Sequence, residues 1–308
     1  MKSDPDSSNQ YKSGFVAIMG RTNVGKSTLI NAILGQPVAA ISPRSQTTRR
    51  RQLGIYTTEK AQIIFIDTPG LHQPKHKLGQ QMIKEAIEAL SDSDLIIFMV
   101  DITEAPHQED HELVEILQAT GKTADTLILF NKKDLIERED RLNYQIDLYQ
   151  RLLPESMGLA ISALSAESIG ELVQKLIEVL PVGPKYYPSD QVTDLYEREI
   201  AADLIRAAAL GQLRDEVPHG IAIRIDQFKE RENGSAYIRA TIFVDRESHK
   251  GIVIGRQGSM LKSIGTAARQ EIETMANRKV FLELRVKVRK NWRNDEKELK
   301  RLGFNSSN

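Results

Sequence analysis

The apolar run Phe15-Val16-Ala17-Ile18-Met19 breaks at Gly20 into Arg21-Thr22-Asn23-Val24-Gly25-Lys26-Ser27, then resumes as TLINAIL with apolar residues at helical spacing. No other stretch restricts the fold as much. A β-branched run, a loop of the form G-x-x-x-x-G-K-[ST] and a helix pattern, in that order, make the first βα unit of a mostly parallel α/β sheet. Glycines let such a loop curl so that successive N–H groups point inward, and the helix N-terminus adds partial positive charge beneath an anion. Lys26 can then reach the β- and γ-phosphates of a nucleotide, and the Ser27 hydroxyl can reach a magnesium ion that bridges them. Gly20, Asn23, Val24, Gly25 and Thr28 complete the expected cradle.

Four further runs carry almost no polar interruption: IIFIDT at 63–68, LIIFMVD at 95–101, TLILFNK at 126–132 and LAISAL at 159–164. Strands apolar on both faces belong in a parallel sheet covered by helices. GQQMIKEAIEALS, HELVEILQAT and IGELVQKLIEVL supply the covering pattern. QLGIYTT and AQIIFID, separated only by Glu59-Lys60, stand too close for a crossover helix, so one edge strand is expected to be antiparallel. The regime ends in LPVGPKYYPSD, where three prolines and a glycine argue against any regular element. The expected division is a flexible N-terminus 1–13, a nucleotide domain 14–182, a linker 183–192, a second domain 193–304 and a tail 305–308.

A phosphate loop does not name the base. Asp67-Thr68-Pro69-Gly70 ends an apolar strand and delivers the Asp67 carboxylate to the open sheet edge, near the magnesium. Asn131-Lys132-Lys133-Asp134 follows the strand TLILF and supplies an amide and a carboxylate. A carboxylate accepts paired hydrogen bonds from the N1–H and exocyclic amine of guanine, an arrangement adenine lacks. Ser162-Ala163-Leu164 ends the next run, where a backbone N–H can meet the guanine O6. The order of these motifs on successive strand ends points to GTP and GDP.

Taken together, GRTNVGKST, QTTRR, DTPG, NKKD and SAL resemble the five signature motifs of the translation-factor-related GTPases. AAISPRSQTTRRRQLGI and DTPGLHQPKHKLGQQM are similar to the Era family in particular, and the resemblance runs from residue 14 to residue 304. It implies that Thr47 or Thr48 joins Ser27 and Asp67 around magnesium, Thr48 being favoured as the one directly before Arg49. It also implies that the Gly70 N–H touches the γ-phosphate. Thr22 departs from the family's usual proline at a position that aims no required atom at phosphate.

Leu71 stands where many small GTPases place a water-orienting glutamine, and leucine has no polar atom for that task. Slow intrinsic turnover is expected, dependent on another group or a partner. Asn23 is a candidate: in related GTPases with asparagine here, a potassium ion offsets developing charge. An unchanged rate after replacing potassium by sodium removes that reading. His72 and His76 read as solvated loop histidines rather than bases.

The second half carries its own signal. Residues 250–303 hold fourteen Lys or Arg against six Asp or Glu, so this stretch carries +8 and the rest of a formally neutral chain −8. A basic segment on an acidic body suggests a polyanion site. Within it, Gly255-Arg256-Gln257-Gly258 lies between the apolar segment ending at Ile254 and a helix, and fits the G-x-x-G loop with which KH modules clamp single-stranded RNA. Lys250, Lys262 and Arg269 add cations near the loop; Ile252, Val253, Ile254, Leu261 and Ile264 are candidates for an apolar groove, of which several must be core. On VFLELRVKVRK, the charges of Arg285, Lys287 and Arg289 recur at period two and share one face, expected to meet phosphate.

The expected architecture is therefore a P-loop GTPase domain followed by a smaller α+β KH domain of type II. Resemblance to the family implies a GTP-governed switch that binds the 3′ end of 16S rRNA and assists assembly of the 30S ribosomal subunit. A cytoplasmic monomer is expected, with contact at the inner membrane surface only weakly argued by charge. The absence of cysteine and of an apolar leader agrees with the cytoplasm. The rival from another class is a constitutive KH-type assembly factor in which nucleotide is a structural ligand, kept open by Leu71. An RNA-modifying GTPase would need a separate catalytic centre, and the sequence offers neither a cysteine nucleophile nor a dinucleotide fingerprint.

Overall fold

The apolar runs become strands because only a sheet covered on both faces can bury them. The computed structural model describes residues 10–40, 49, 51–69, 76–214 and 217–304. Thr47, Thr48, Gly70, Leu71 and His72 lie outside the described residues. The chain separates into two compact units: Met1–Gly35, Arg51–Leu71 and Ala86–Asp194 form one, and Gln36–Arg50, His72–Glu85 and Leu195–Asn308 the other.

The first unit holds β1 (Lys12–Met19), α1 (Lys26–Leu34), β2 (Gln52–Thr57), β3 (Ala61–Asp67) and, partly, α2 (Lys77–Asp92). It continues through β4 (Leu95–Asp101), α3 (Gln108–Thr120), β5 (Thr126–Asn131), α4 (Glu139–Gln150), β6 (Met157–Ala160) and α5 (Ala166–Val179). The sheet order is β2-β3-β1-β4-β5-β6, parallel throughout except for β2 against β3. The antiparallel edge is the hairpin expected from the short spacing. Every residue of β3 and β5 is buried, which is why these strands read as unbroken apolar runs. Parallel registers align Ile18 with Asp67 and Asp101 with Asn131, so β1, β3, β4 and β5 end at one edge of the sheet. That edge is where a doubly wound sheet binds ligands.

The second unit contains α6 (Glu197–Gln212), β7 (Ala222–Glu230), β8 (Ala236–Val244), α7 (Glu247–Ile254), α8 (Ser259–Ala276), β9 (Val280–Val288) and α9 (Glu296–Arg301). Its sheet runs β7-β8-β9, the first pair antiparallel and the second parallel. One face packs on α6 and α8: Leu204, Ile205, Ala268 and Ile272 bury Ile225, Ile238 and Ala240. On the opposite face, Ala222 and Phe243 are covered by Trp292, Leu299 and Phe304 together with Leu78 and Met82. Trp292 is fully buried and donates from Nε1 to the Gly220 carbonyl at 2.9 Å, so its ring is packing and not a surface for a base. Arg49 is buried in the same unit, donates to the Ile221 carbonyl at 2.8 Å and lies 5.8 Å from the centre of the Trp292 ring.

Two helices escape the sequence reading. α4 buries only Gln145 and Tyr149 and is charged elsewhere, so its apolar period is too sparse to see. α7 spans HKGIVI, whose glycine and β-branched residues favour other conformations. Packing overrides that preference: Val253 is fully buried with Ile242, Val244 and Ile264.

Candidate nucleotide and RNA sites

Backbone geometry at the first loop explains its glycines. Gly20 has φ 151°, and a Cβ there would stand 2.2 Å from the Met99 carbonyl oxygen; Gly25 has φ 111°, and a Cβ would stand 2.4 Å from Asn131 Nδ2. Neither position admits a side chain without moving the neighbouring strand ends. Asn23 takes the left-handed conformation with φ 64°, which asparagine tolerates. Lys26 Nζ donates to the Gly20 and Arg21 carbonyls at 2.7 Å each, closing the loop around itself. Burial pushes the Lys26 ammonium down to about 8, with Asp67 opposing the shift. A phosphate would restore the missing counter-charge. Arg21 is braced by Asp110 on α3, 2.9 Å from its Nε, and by Glu104 in the loop before α3, 3.3 Å from its Nη2.

Behind the loop, Ser27 Oγ lies 3.4 Å from Asp67 Oδ2. The Asp67 carboxylate is fully buried, and a buried carboxylate beside a hydroxyl is the hard oxygen pair that suits magnesium. Thr68 fixes the strand end by donating to the Ile18 carbonyl at 2.8 Å.

Asn131 ties three loops together. Its Nδ2 donates to the Val24 carbonyl at 2.7 Å, and its Oδ1 accepts from the Ala163 N–H at 2.9 Å. The phosphate loop and the Ser162-Ala163-Leu164 turn are thus held by one buried amide. Since the Ala163 N–H is engaged there, the next N–H, that of Leu164, makes only a long bond of 3.3 Å to Ser162 Oγ. Asp134 stands exposed on the short 3₁₀ turn Lys133–Leu135. Lys132, at φ 68°, pairs its Nζ with Asp101. Burial opposes the charge on Asp101, but hydrogen bonds from Lys132 and Thr103 outweigh it and hold the carboxyl below its ordinary value. Asp101 was missed by the sequence reading. Its only signal was a carboxylate ending an apolar strand, the same signal that singled out Asp67.

In the second unit, α7 ends at Gly255 (φ 74°) and α8 starts after Gly258 (φ 79°). A Cβ on Gly255 would lie 2.7 Å from the Met260 backbone nitrogen, so the loop needs glycine there. Arg256, Gln257 and Lys262 are exposed around it, and Lys250 sits 3.7 Å from Glu247. Val253 and Ile264 are core and Leu261 packs against them, while Ile252 is exposed and Ile254 half-buried. Arg289 lies 5.9 Å from the centre of the Phe243 ring, on the sheet face opposite α8, the face it shares with Arg285 and Lys287. A period of two fixes which residues share a face but not which face the helices cover.

Residues 15–132 match the family described as 50S ribosome-binding GTPase, and residues 216–293 match the KH domain. A GTPase Era from Ruminiclostridium cellulolyticum is 46% identical over 96% of this chain and 99% of its own. The GTPase Era of Geobacter metallireducens is 46% identical over 97% and 99%. Among solved structures, Era in complex with MgGDPNP and nucleotides 1506–1542 of 16S ribosomal RNA matches with a TM-score of 0.89 and 40% identity, covering 96% of this chain and 99% of that one. A variant of Aquifex aeolicus Era bound to GDP and aluminium fluoride matches with a TM-score of 0.88 and 40% identity, covering 95% and 99%. Matched by both domain families and 46% identical to the first two of these relatives over nearly its full length, the chain belongs to the GTPase Era family.

Proposed function

We propose that the chain is a GTP-governed switch that grips the 3′ end of 16S rRNA and assists 30S subunit assembly. The observation that carries this is the presence, in one chain, of the braced phosphate loop and of a G-x-x-G clamp at the head of the 18-residue helix α8. The relative bound to both a GTP analogue and 16S nucleotides 1506–1542 supports pairing the two sites. The site residues follow. Ser27, Asp67 and Thr48 hold magnesium, which supplies charge at the phosphates. Lys26 and the loop N–H groups bind the β- and γ-phosphates, Gly70 reaches the γ-phosphate, and Asn131, Asp134 and the Ser162–Leu164 turn read guanine. Asn23 would support a potassium ion that offsets developing charge. The functional boundaries are 14–182 for the nucleotide domain and 193–304 for the KH domain. The compartment is the cytoplasm, and no described helix is long and apolar enough to cross a membrane.

The test is affinity for a short single-stranded RNA copied from the 3′ end of 16S rRNA, measured at one salt concentration with GDP and with a non-hydrolysable GTP analogue. A rise of about tenfold with the analogue, roughly 1.4 kcal/mol of coupling, is expected. Equal affinities would favour the constitutive binder. The control is R256D/Q257D, which keeps both glycines and puts two carboxylates where phosphates should lie. Gln257 already has φ 51°, a conformation aspartate accepts, so the loop is retained. Binding to this RNA should fall about a hundredfold while GTP hydrolysis holds.

A further inference from the structure

The face of the β7-β8-β9 sheet turned away from α6 and α8 is covered around Phe243 by Trp292, Leu299 and Phe304, and beyond that it carries the charges expected from their period of two to meet phosphate. Register places Tyr237 beside Phe281, Arg239 beside Glu283 and Thr241 beside both Arg224 and Arg285. Lys287 follows two residues on, so Arg285 and Lys287 project about 6.6 Å apart along β9. At the far end of the strand, Tyr237 and Phe281 stack with centroids 5.7 Å apart and planes 18° from parallel. Arg231 lies 5.4 Å from the centre of each ring. Phe281 is 56% exposed although it belongs to an edge strand and is already stacked on one side.

Two carboxylates on this face serve to orient cations. Glu283 accepts from Arg285 at 2.7 Å, and Asp226 accepts from Arg224 at 2.7 Å. Cations still outnumber anions there, with Arg231, Arg239 and Lys287 in excess. We propose that this outer sheet face is a second RNA surface, in which Arg285 and Lys287 follow consecutive phosphates and an unpaired base stacks on Phe281. Planar guanidiniums fixed by carboxylates, next to a stacked aromatic pair on a rigid sheet, are the elements that bind single-stranded RNA. An anionic bilayer is met instead by flexible lysines flanking a helix that inserts apolar side chains. The face lies opposite α8, whose N-terminus carries the G-x-x-G loop, so a strand lying in the clamp must continue around the domain edge to reach it. The inference rests on the RNA-binding reading and extends it to a longer ligand.

The experiment uses the full chain and two probes, an RNA with the sequence of 16S nucleotides 1506–1542 and a short 3′-terminal fragment that fills only the clamp. For R285Q/K287Q, affinity for the long RNA should fall about tenfold and its salt slope should drop by about 1.4. Phe281→Ala should cost about tenfold on the long RNA, and ultraviolet crosslinking of wild type should map to Phe281 or Tyr237. The short fragment should bind all three proteins equally, with equal thermal unfolding and GTP hydrolysis. Unchanged affinity and slope on the long RNA overturn the proposal, as does an equal loss on both probes. If R285Q/K287Q instead loses binding only to phosphatidylglycerol vesicles, the face meets membrane and the proposal fails. R256D/Q257D separates the two readings: if that variant binds the short fragment normally, the clamp assignment fails while the outer face is still judged by the long RNA. Wild type that binds neither RNA overturns both.

Discussion

Asp134→Asn will convert a GTP site into one that prefers xanthosine triphosphate. In the proposed site the carboxylate of Asp134 would accept from both the N1–H and the exocyclic amine of guanine, whereas an asparagine amide presents one acceptor and one donor. Its NH₂ would then face the guanine amine, donor against donor. Sites built on specific hydrogen bonds reject a mismatched ligand strongly, so GTP and GDP affinity should fall about 10³-fold or more. Xanthine carries a carbonyl where guanine carries the amine. The asparagine NH₂ can donate to it while the side-chain oxygen still accepts from N1–H. Competition of each nucleotide against a fluorescent GDP analogue reads both effects. The scaffold should be untouched, because Asp134 is exposed on a short turn, while the brace from the phosphate loop to the Ala163 turn is made by Asn131. If GTP weakens and xanthosine triphosphate gains nothing, Asp134 acts through the fold and not on the base.

That separation between a brace and a reader shows where sequence reasoning ends. The phosphate loop, Asp67 and the Asn131–Asp134 turn were legible because each packs its chemistry into consecutive residues at a strand end. The β2–β3 hairpin was legible for a geometric reason, since two residues cannot span a crossover. What Asn131 does could not be read, because its partners, Val24 and Ala163, lie 107 and 32 residues away and meet it only when β1, β5 and β6 align. Asp101 was hidden for the same reason: its role depends on Lys132 reaching it from the neighbouring strand. In the second unit, the G-x-x-G loop was visible, but the division of Ile252, Val253 and Ile254 was not. A short helix turns consecutive residues in different directions, and only packing against Ile242 and Val244 shows that Val253 points inward. For Arg285, Lys287 and Arg289 the period of two shows that they share a face, and only the packing of α8 shows that it is the face turned away from the helices.

The second large effect is expected at Lys26. In the structure its ammonium is parked on two carbonyls of its own loop, and burial has pushed it down to about 8. In the proposed site the ammonium would exchange these weak acceptors for the stronger oxygens of the β- and γ-phosphates. Lys26→Ala removes that charge at the point where negative charge accumulates during phosphoryl transfer. A loss of about 10³-fold in kcat/KM for GTP, roughly 4 kcal/mol, is expected, with a smaller loss of GDP affinity. A buried charge is a liability to the empty protein, so the nucleotide-free variant should unfold no earlier than wild type. The stabilisation that wild type gains from added GDP should shrink, since binding to the native state alone produces it. Two thermal unfolding curves, with and without GDP, therefore separate a lost ligand contact from a damaged loop. If the nucleotide-free variant melts well below wild type, the bonds to Gly20 and Arg21 are structural, and the activity loss cannot be assigned to phosphate. Lys26→Met then decides the matter: it keeps the length of the side chain without its charge, and a variant that melts like wild type yet fails to hydrolyse GTP returns the role to electrostatics.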